Sequence, residues 1–152
     1  MTGTAKSAGC VFCDAQAGGQ DSLVVFRGTR CFVILNKFPY NIGHLMAVPN
    51  RHIATLTEAT REELCELAEL LQRAEAALRE AFDPHGLNMG INLGKPAGAG
   101  ILDHLHLHVV PRWNGDTNFM TVVGQTRVLP EELTVTAERL RPIFARLFQE
   151  SD

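Results

Sequence analysis

Asp103-His104-Leu105-His106-Leu107-His108-Val109-Val110-Pro111 alternates three imidazoles with aliphatic residues. In a strand, successive side chains point to opposite faces. Read as a strand over Leu105–Val110, the segment places His104, His106 and His108 on one face and Leu105, Leu107 and Val109 on the other. Alternate residues then stand about 6.6–6.8 Å apart. The aliphatic face can join a core while the imidazoles line a surface. Imidazole is the side chain whose ordinary pKa lies near neutrality, so it can act as nucleophile, acid, base or metal ligand. Three of them on one face without a function would cost hydrogen bonds and repel one another on protonation. All three could reach a single ion only if the strand bent strongly, which favours a divided role: one ring on a metal, two facing a substrate.

Working outward, the apolar runs Leu23–Phe26 and Cys31–Leu35 flank Arg27-Gly28-Thr29-Arg30, the pattern of a hairpin. Pro39, Asn41 and Gly43 mark a turn, and His44–Val48 is a third run stopped by Pro49. Leu64, Leu67, Leu71, Ala74 and Leu78 recur at helical spacing and predict the longest helix. Thr60 with Glu63 forms a candidate capping box, Thr57 is a competing cap, and Pro84 and Gly86 end the helix. Leu87–Leu93 reads as a strand and Gly94–Gly100 as a loop. A last helix is expected after Pro130, built on Leu133, Leu140, Ile143, Phe144 and Leu147 and interrupted at Pro142. The expected class is α+β, with helices on one face of a mainly antiparallel sheet.

The 152 residues suit one domain, and a net charge of −3 gives no basic excess for coating long nucleic acid. No apolar run approaches a membrane span, and the N-terminal ten residues lack a signal-like apolar stretch, so a cytoplasmic protein is expected. Residues 1–9 are expected to be disordered, and the Gly-rich stretch Ala15–Ser22 to be a loop. In a reducing compartment the Cys10-x-x-Cys13 pair points to metal or redox chemistry rather than a structural disulfide. Cys31 and Cys65 are expected to be small core residues.

The sequence from His104 to Val110 resembles the signature of the histidine-triad (HIT) family of nucleotide hydrolases and transferases. Cys10-Val11-Phe12-Cys13, Leu35-Asn36-Lys37, Gly43-His44-Leu45, Asn88, Asn92-Leu93-Gly94 and Ala97-Gly98 resemble further family segments in the same order. The tail from His108 through Trp113 to Met120 is similar to the branch that includes bacterial diadenosine tetraphosphate phosphorylases. The resemblance implies a HIT fold with a five-stranded sheet, a long helix and a C-terminal helix. It divides the chain into a HIT domain at residues 10–125 and a helical extension at 126–152.

By the same resemblance His106 is the nucleophile, attacking the α-phosphorus to form a nucleotidyl-histidine. His108 serves the leaving group, and His44 is a fourth histidine close to the nucleophile. Either a backbone carbonyl or the His44 ring is expected to fix the tautomer of His106. Asn36 corresponds to a ribose-binding position and Asn92 to a polar position near phosphate. Gly98 and Gly100 belong to a loop whose amides can approach phosphate oxygens. Many relatives carry Ser, Gln or Thr three or four residues before the first triad histidine, where this chain has Gly100 and Ile101, so a side-chain phosphate contact is absent there. Trp113 can stack on a base, sit at a subunit interface or pack in the core.

Cys10, Cys13, His52 and His104 correspond to a zinc quartet of part of the family; four N/S ligands describe a structural ion. No organic cofactor is implied, and a homodimer is expected by resemblance. The expected function is phosphorolysis or hydrolysis of dinucleoside polyphosphates. Hydrolysis of a nucleoside phosphoramidate or adenylated conjugate is the near alternative. A zinc-stabilised nucleotide-binding module with little turnover is the alternative of another class.

Overall fold

The computed structural model describes residues 9–18, 23–97, 104–116 and 131–150. Among these, a short helix α1 (Val11–Gln16) precedes three strands, β1 (Val24–Arg27), β2 (Cys31–Leu35) and β3 (Leu45–Pro49). Helix α2 (Arg61–Phe82) leads to β4 (Gly86–Ile91), then β5 (Leu107–Arg112), and helix α3 (Leu133–Glu150) follows. The five strands form one sheet in the order β1-β2-β3-β5-β4, and each neighbouring pair is antiparallel. The expected disorder of residues 1–9 falls, apart from Gly9, outside the described residues.

Alternation along the strands builds a separate core on each side of the sheet. Cys31, Val33 and Leu35 of β2, with Leu45 and Ala47 of β3, join Leu67, Leu70, Ala74 and Leu78 of α2 and Ala137, Leu140 and Phe144 of α3. Phe32 and Ile34, with Met46 and Val48, face the other way and pack with Cys10, Phe12, Cys13 and Ala15 around α1. The expectation of helices on a single face holds for α2 and α3, whereas α1 lies on the opposite face. Residues 15 and 16, read as the start of a loop, are its last turn. Six residues carry no readable helical period, and such a helix depends on its docked side chains rather than on propensity.

Thr60 is the N-cap of α2: its hydroxyl accepts the Glu63 amide at 3.0 Å while Glu63 Oε1 accepts the Thr60 amide at 2.8 Å. Thr57 instead lies in a short 3-10 turn over Leu56–Glu58. At the other end Asp83 adopts a left-handed conformation, φ 49°, just before Pro84. The buried stripe of α2 is rotated from the expected one. Leu67, Leu70, Ala74, Ala77 and Leu78 are buried, Leu71 is partly buried, and Leu64 is exposed. The buried place in the first turn belongs to Glu63, whose carboxylate is paired with Arg51 at 2.8 Å. This rotation also corrects the placement of Cys65, which is exposed, whereas Cys31 is fully buried as expected. Burial pushes the Cys31 thiol up to about 12, with Glu66 and Glu63 adding to the shift.

Pro142 does not interrupt the last helix, which runs unbroken from Leu133 to Glu150. Proline removes the amide that would serve the carbonyl four residues back. Pro142 and Glu138 are both exposed, so water can reach that carbonyl. Among the described residues, no helix is long and apolar enough to cross a membrane.

Candidate active site and metal centre

His104 turns towards the cysteine cluster and His108 towards a groove, and the strand boundary is shifted. β5 begins at Leu107, so His104 and His106 lie in the irregular approach to it. The Leu105 amide donates to the Ile53 carbonyl and keeps this approach against the segment after β3. Leu105, Leu107 and Val109 belong to the α2/α3 side. On the other side the Phe12 ring lies 5.4 Å from that of His104 and 5.0 Å from that of His106.

Each histidine is turned by a particular partner. His106 is 6% exposed, and its Nδ1 lies 2.9 Å from the His104 carbonyl. A carbonyl only accepts, so Nδ1 carries the proton and Nε2 keeps a free lone pair. Of the two expected ways of fixing this tautomer, the carbonyl is the one observed. His44 pairs instead with His108, Nε2 to Nδ1, at 2.9 Å. The Tyr40 amide donates to His44 Nδ1 at 3.1 Å, so His44 holds its proton on Nε2 and donates it to His108. The Asn36 amide nitrogen also approaches His44 Nε2, at 3.4 Å, but a ring nitrogen bearing a proton accepts nothing, and the shorter contact to His108 is the bond. His108 therefore holds its own proton on Nε2.

These tautomers require neutral rings. Burial, with the neighbouring His108 and His106 rings, pushes His44 down to about 3. Burial also lowers His106, and lowers His108 together with the His106 ring. An unfolded histidine titrates near 6.5, so as pH falls below that value the unfolded chain takes up the His44 proton first. The stability contributed by neutral His44 is complete above about pH 6.5 and is lost as pH falls towards 3. Urea unfolding midpoints are expected to fall over this range, His44 contributing on the order of 3 kcal/mol by about pH 4. The His44→Asn variant is expected to show a flatter dependence; an unchanged slope would contradict the assignment.

A groove of about 300 Å³ opens beside His108, lined among others by Tyr40, Asn88, Asn92, Val110 and Arg112. Asn92 thus shares the groove with His108. Asn36 sits at the end of β2, its Oδ1 accepting the Phe38 amide at 2.8 Å. Trp113 is half-buried just past β5 and is not among the groove-lining residues. Gly98 and Gly100, with Ile101, lie outside the described residues. Sequence reasoning assigned no role to Phe12, Tyr40 or Arg112. The position of Tyr40, four residues before His44 within the Pro39–Gly43 turn, was the available signal.

Cys10, Cys13, His52 and His104 converge, with their ligand atoms all within 4.8 Å of one another. Cys10 Sγ lies 3.3 Å and His52 Nδ1 3.2 Å from His104 Nδ1, and Cys13 Sγ lies 3.1 Å from His52 Nδ1. Tetrahedral zinc holds N and S ligands roughly 3.4–3.8 Å apart, close to these separations. His104 Nε2 donates to the Pro49 carbonyl at 2.8 Å, which leaves Nδ1 as a lone pair aimed into the cluster. The donor set and its orientation fit a structural zinc ion, which would fasten α1 to the approach of β5.

An antiparallel five-stranded sheet whose last strand continues a run of three alternating histidines, with a fourth histidine beside them, defines a histidine-triad protein. The HIT domain family model matches residues 17–115, and the chain belongs to this family. It is 44% identical over 131 residues, 86% of this chain and 67% of the relative, to the AP-4-A phosphorylase of Mycobacterium tuberculosis. A Zn-bound histidine triad family protein from Mycobacterium smegmatis superposes with a TM-score of 0.76 at 32% identity, covering 95% of this chain and 99% of that one. A hypothetical histidine triad nucleotide-binding protein from Sulfolobus tokodaii gives a TM-score of 0.75 at 25% identity over 93% and 95% of the two chains.

Proposed function

We propose that the protein is an enzyme that splits dinucleoside polyphosphates of the diadenosine tetraphosphate type by phosphorolysis, through a nucleotide carried on His106. The observation that carries this reading is the His106 tautomer: the His104 carbonyl holds the proton on Nδ1 and frees Nε2 for attack. The 44% identity to an AP-4-A phosphorylase supports the choice of substrate. His106 Nε2 bonds to the α-phosphorus while the bond from that phosphorus to the bridging oxygen breaks and ATP leaves. His108 donates a hydrogen bond from its Nε2–H to the departing oxygen, which stabilises the charge that develops there without giving up the proton. Inorganic phosphate then attacks the nucleotidyl-histidine, releasing ADP and restoring the ring.

Asn36 would hold ribose hydroxyls, Asn92 would meet the phosphates, and the Gly98 and Gly100 loop would supply amides. Trp113 would meet the base or a neighbouring subunit. Cys10, Cys13, His52 and His104 would hold a structural zinc that takes no part in the steps. No organic cofactor is needed, and the setting proposed is the cytoplasm. A homodimer would be built along β4, an edge strand whose outer side pairs with no other described strand and which exposes Met89.

The test is product analysis with diadenosine tetraphosphate, with and without phosphate. ADP with ATP, formed only when phosphate is present, is the expected result. AMP formed in water would move the reading to hydrolysis of this substrate or of adenylated conjugates and phosphoramidates. Nucleotide binding without turnover of any adenylated compound would leave a binding module.

A further inference from the structure

The turn around Asn41 and the turn after β5 are bolted together across the sequence. Asn41, 7% exposed, donates through Nδ2 to the Asp116 carboxylate at 2.7 Å and to the Pro111 carbonyl at 2.9 Å. Asp116 is 5% exposed and also accepts the Trp113 amide at 2.9 Å and Arg112 Nη2 at 2.9 Å. Burying a carboxylate is costly unless its oxygens are filled, and here three residues fill them. Burial pushes the Asp116 pKa up, but the bonds from Arg112, Trp113 and Asn41 outweigh it and hold the group ionised below the usual carboxylate range.

This network touches none of the catalytic rings, yet the turn it anchors presents the Tyr40 amide to His44 Nδ1 at 3.1 Å. That amide is an unambiguous donor; it decides where His44 keeps its proton, and so which nitrogen of His108 faces the groove with one. Without it the contact between His44 Nε2 and His108 Nδ1 is symmetric in principle: either ring can donate. We infer that Asp116 is a positioning residue which, through Asn41 and the Tyr40 amide, locks the tautomers of His44 and His108. The catalytic consequence rests on the role proposed for His108; the tautomer claim does not.

The experiment reads the ring nitrogens directly, by long-range proton–nitrogen NMR of the full, zinc-loaded chain labelled at histidine, above pH 7. The wild type is expected to show His44 and His108 each as a single Nε2–H tautomer. In Asp116→Ala the Nδ1 and Nε2 signals of both rings are expected to move towards each other as a second tautomer is populated. The kcat is expected to fall by roughly a factor of ten to a hundred. Asn41→Ala leaves Arg112 paired with Asp116 and is expected to give the same spectral change. Asp116→Asn retains an oxygen for Asn41 and is expected to restore the wild-type tautomers even where the hold on Arg112, and with it KM, suffers. Unchanged ring signals in folded Asp116→Ala overturn the inference whatever the activity does. If that variant does not fold, unchanged signals in Asn41→Ala overturn it. A wild type with locked tautomers but no turnover would sink the catalytic reading alone, because the spectra do not depend on activity.

Discussion

Replacing His106 by Asn is expected to lower phosphorolysis by on the order of 10⁴-fold or more, while nucleotide still binds. The size follows from what is lost. Asn offers no unprotonated ring nitrogen, so the two-step route through a covalent nucleotide closes, and direct attack by phosphate on substrate must carry all turnover. The fold should tolerate the change: Asn can present its amide N–H to the His104 carbonyl, and the position sits in the smaller core beside Phe12 rather than under α2 and α3. Mass spectrometry after an alkaline quench supplies the check, because the phosphorus–nitrogen bond of a nucleotidyl-histidine is acid-labile. Wild-type protein mixed with substrate in the absence of phosphate should accumulate the nucleotide adduct on His106, and the variant should show none. A variant retaining a tenth of wild-type turnover would remove His106 as the nucleophile. His108→Asn is expected to cost less, about 10²–10³-fold, since it weakens departure of the leaving group but leaves the attacking nitrogen in place.

The second large effect concerns the Cys10, Cys13, His52 and His104 cluster. Protein purified without chelator is expected to contain one zinc per chain, and Cys10→Ala to lose it. Loss of the ion should cost on the order of 3–5 kcal/mol, about 10 °C in Tm for a chain of this length. The cause is local. Without the ion, the tie between α1, the segment after β3 and the approach of β5 falls to hydrogen bonds among the same four side chains, such as His52 Nδ1 to His104 Nδ1 at 3.2 Å. Helix α1, six residues long, is then held through its buried side chains, Phe12, Cys13 and Ala15. Because Phe12 also packs against His106, activity should fall with metal loss although the ion contacts no reacting atom. Metal analysis finding no zinc would remove this claim and leave the role of His106 standing.

Much of the sheet, and the convergence of the two cysteines and two histidines of the candidate metal site, could be read from residue order. The alternation from His104 to Val109 assigned both faces of the central segment correctly, because aliphatic and imidazole side chains cannot exchange places without burying the wrong set. The Thr60–Glu63 pair fixed the start of α2 through two reciprocal hydrogen bonds, a strictly local event. The phase of α2 was harder. Leucines on more than one side of the helix left several stripes open, and contact with α3 and β2 selected Leu70 and Ala77 over Leu64. Cys65 went astray with it. The continuation of α3 through Pro142 depends on the exposed side of the helix, which a local breaker rule does not see. The Asn41–Asp116 bond joins turns 75 positions apart, and nothing local foretells it. Residues 98–103, which include the glycines assigned to phosphate, lie outside the described part of the chain.

The two-sided sheet has a consequence for how such a protein can change. The larger core lies on the α2/α3 side and the reactive rings on the α1 side, so repacking around Leu70 or Phe144 alters stability at a distance from the imidazoles. The backbone of the histidine segment serves both masters at once. Adding or deleting one residue there would send the imidazoles inward and the leucines out, destroying shelf life and turnover in a single event. The number of residues there matters as much as their identity, because a shift of one position exchanges the two faces.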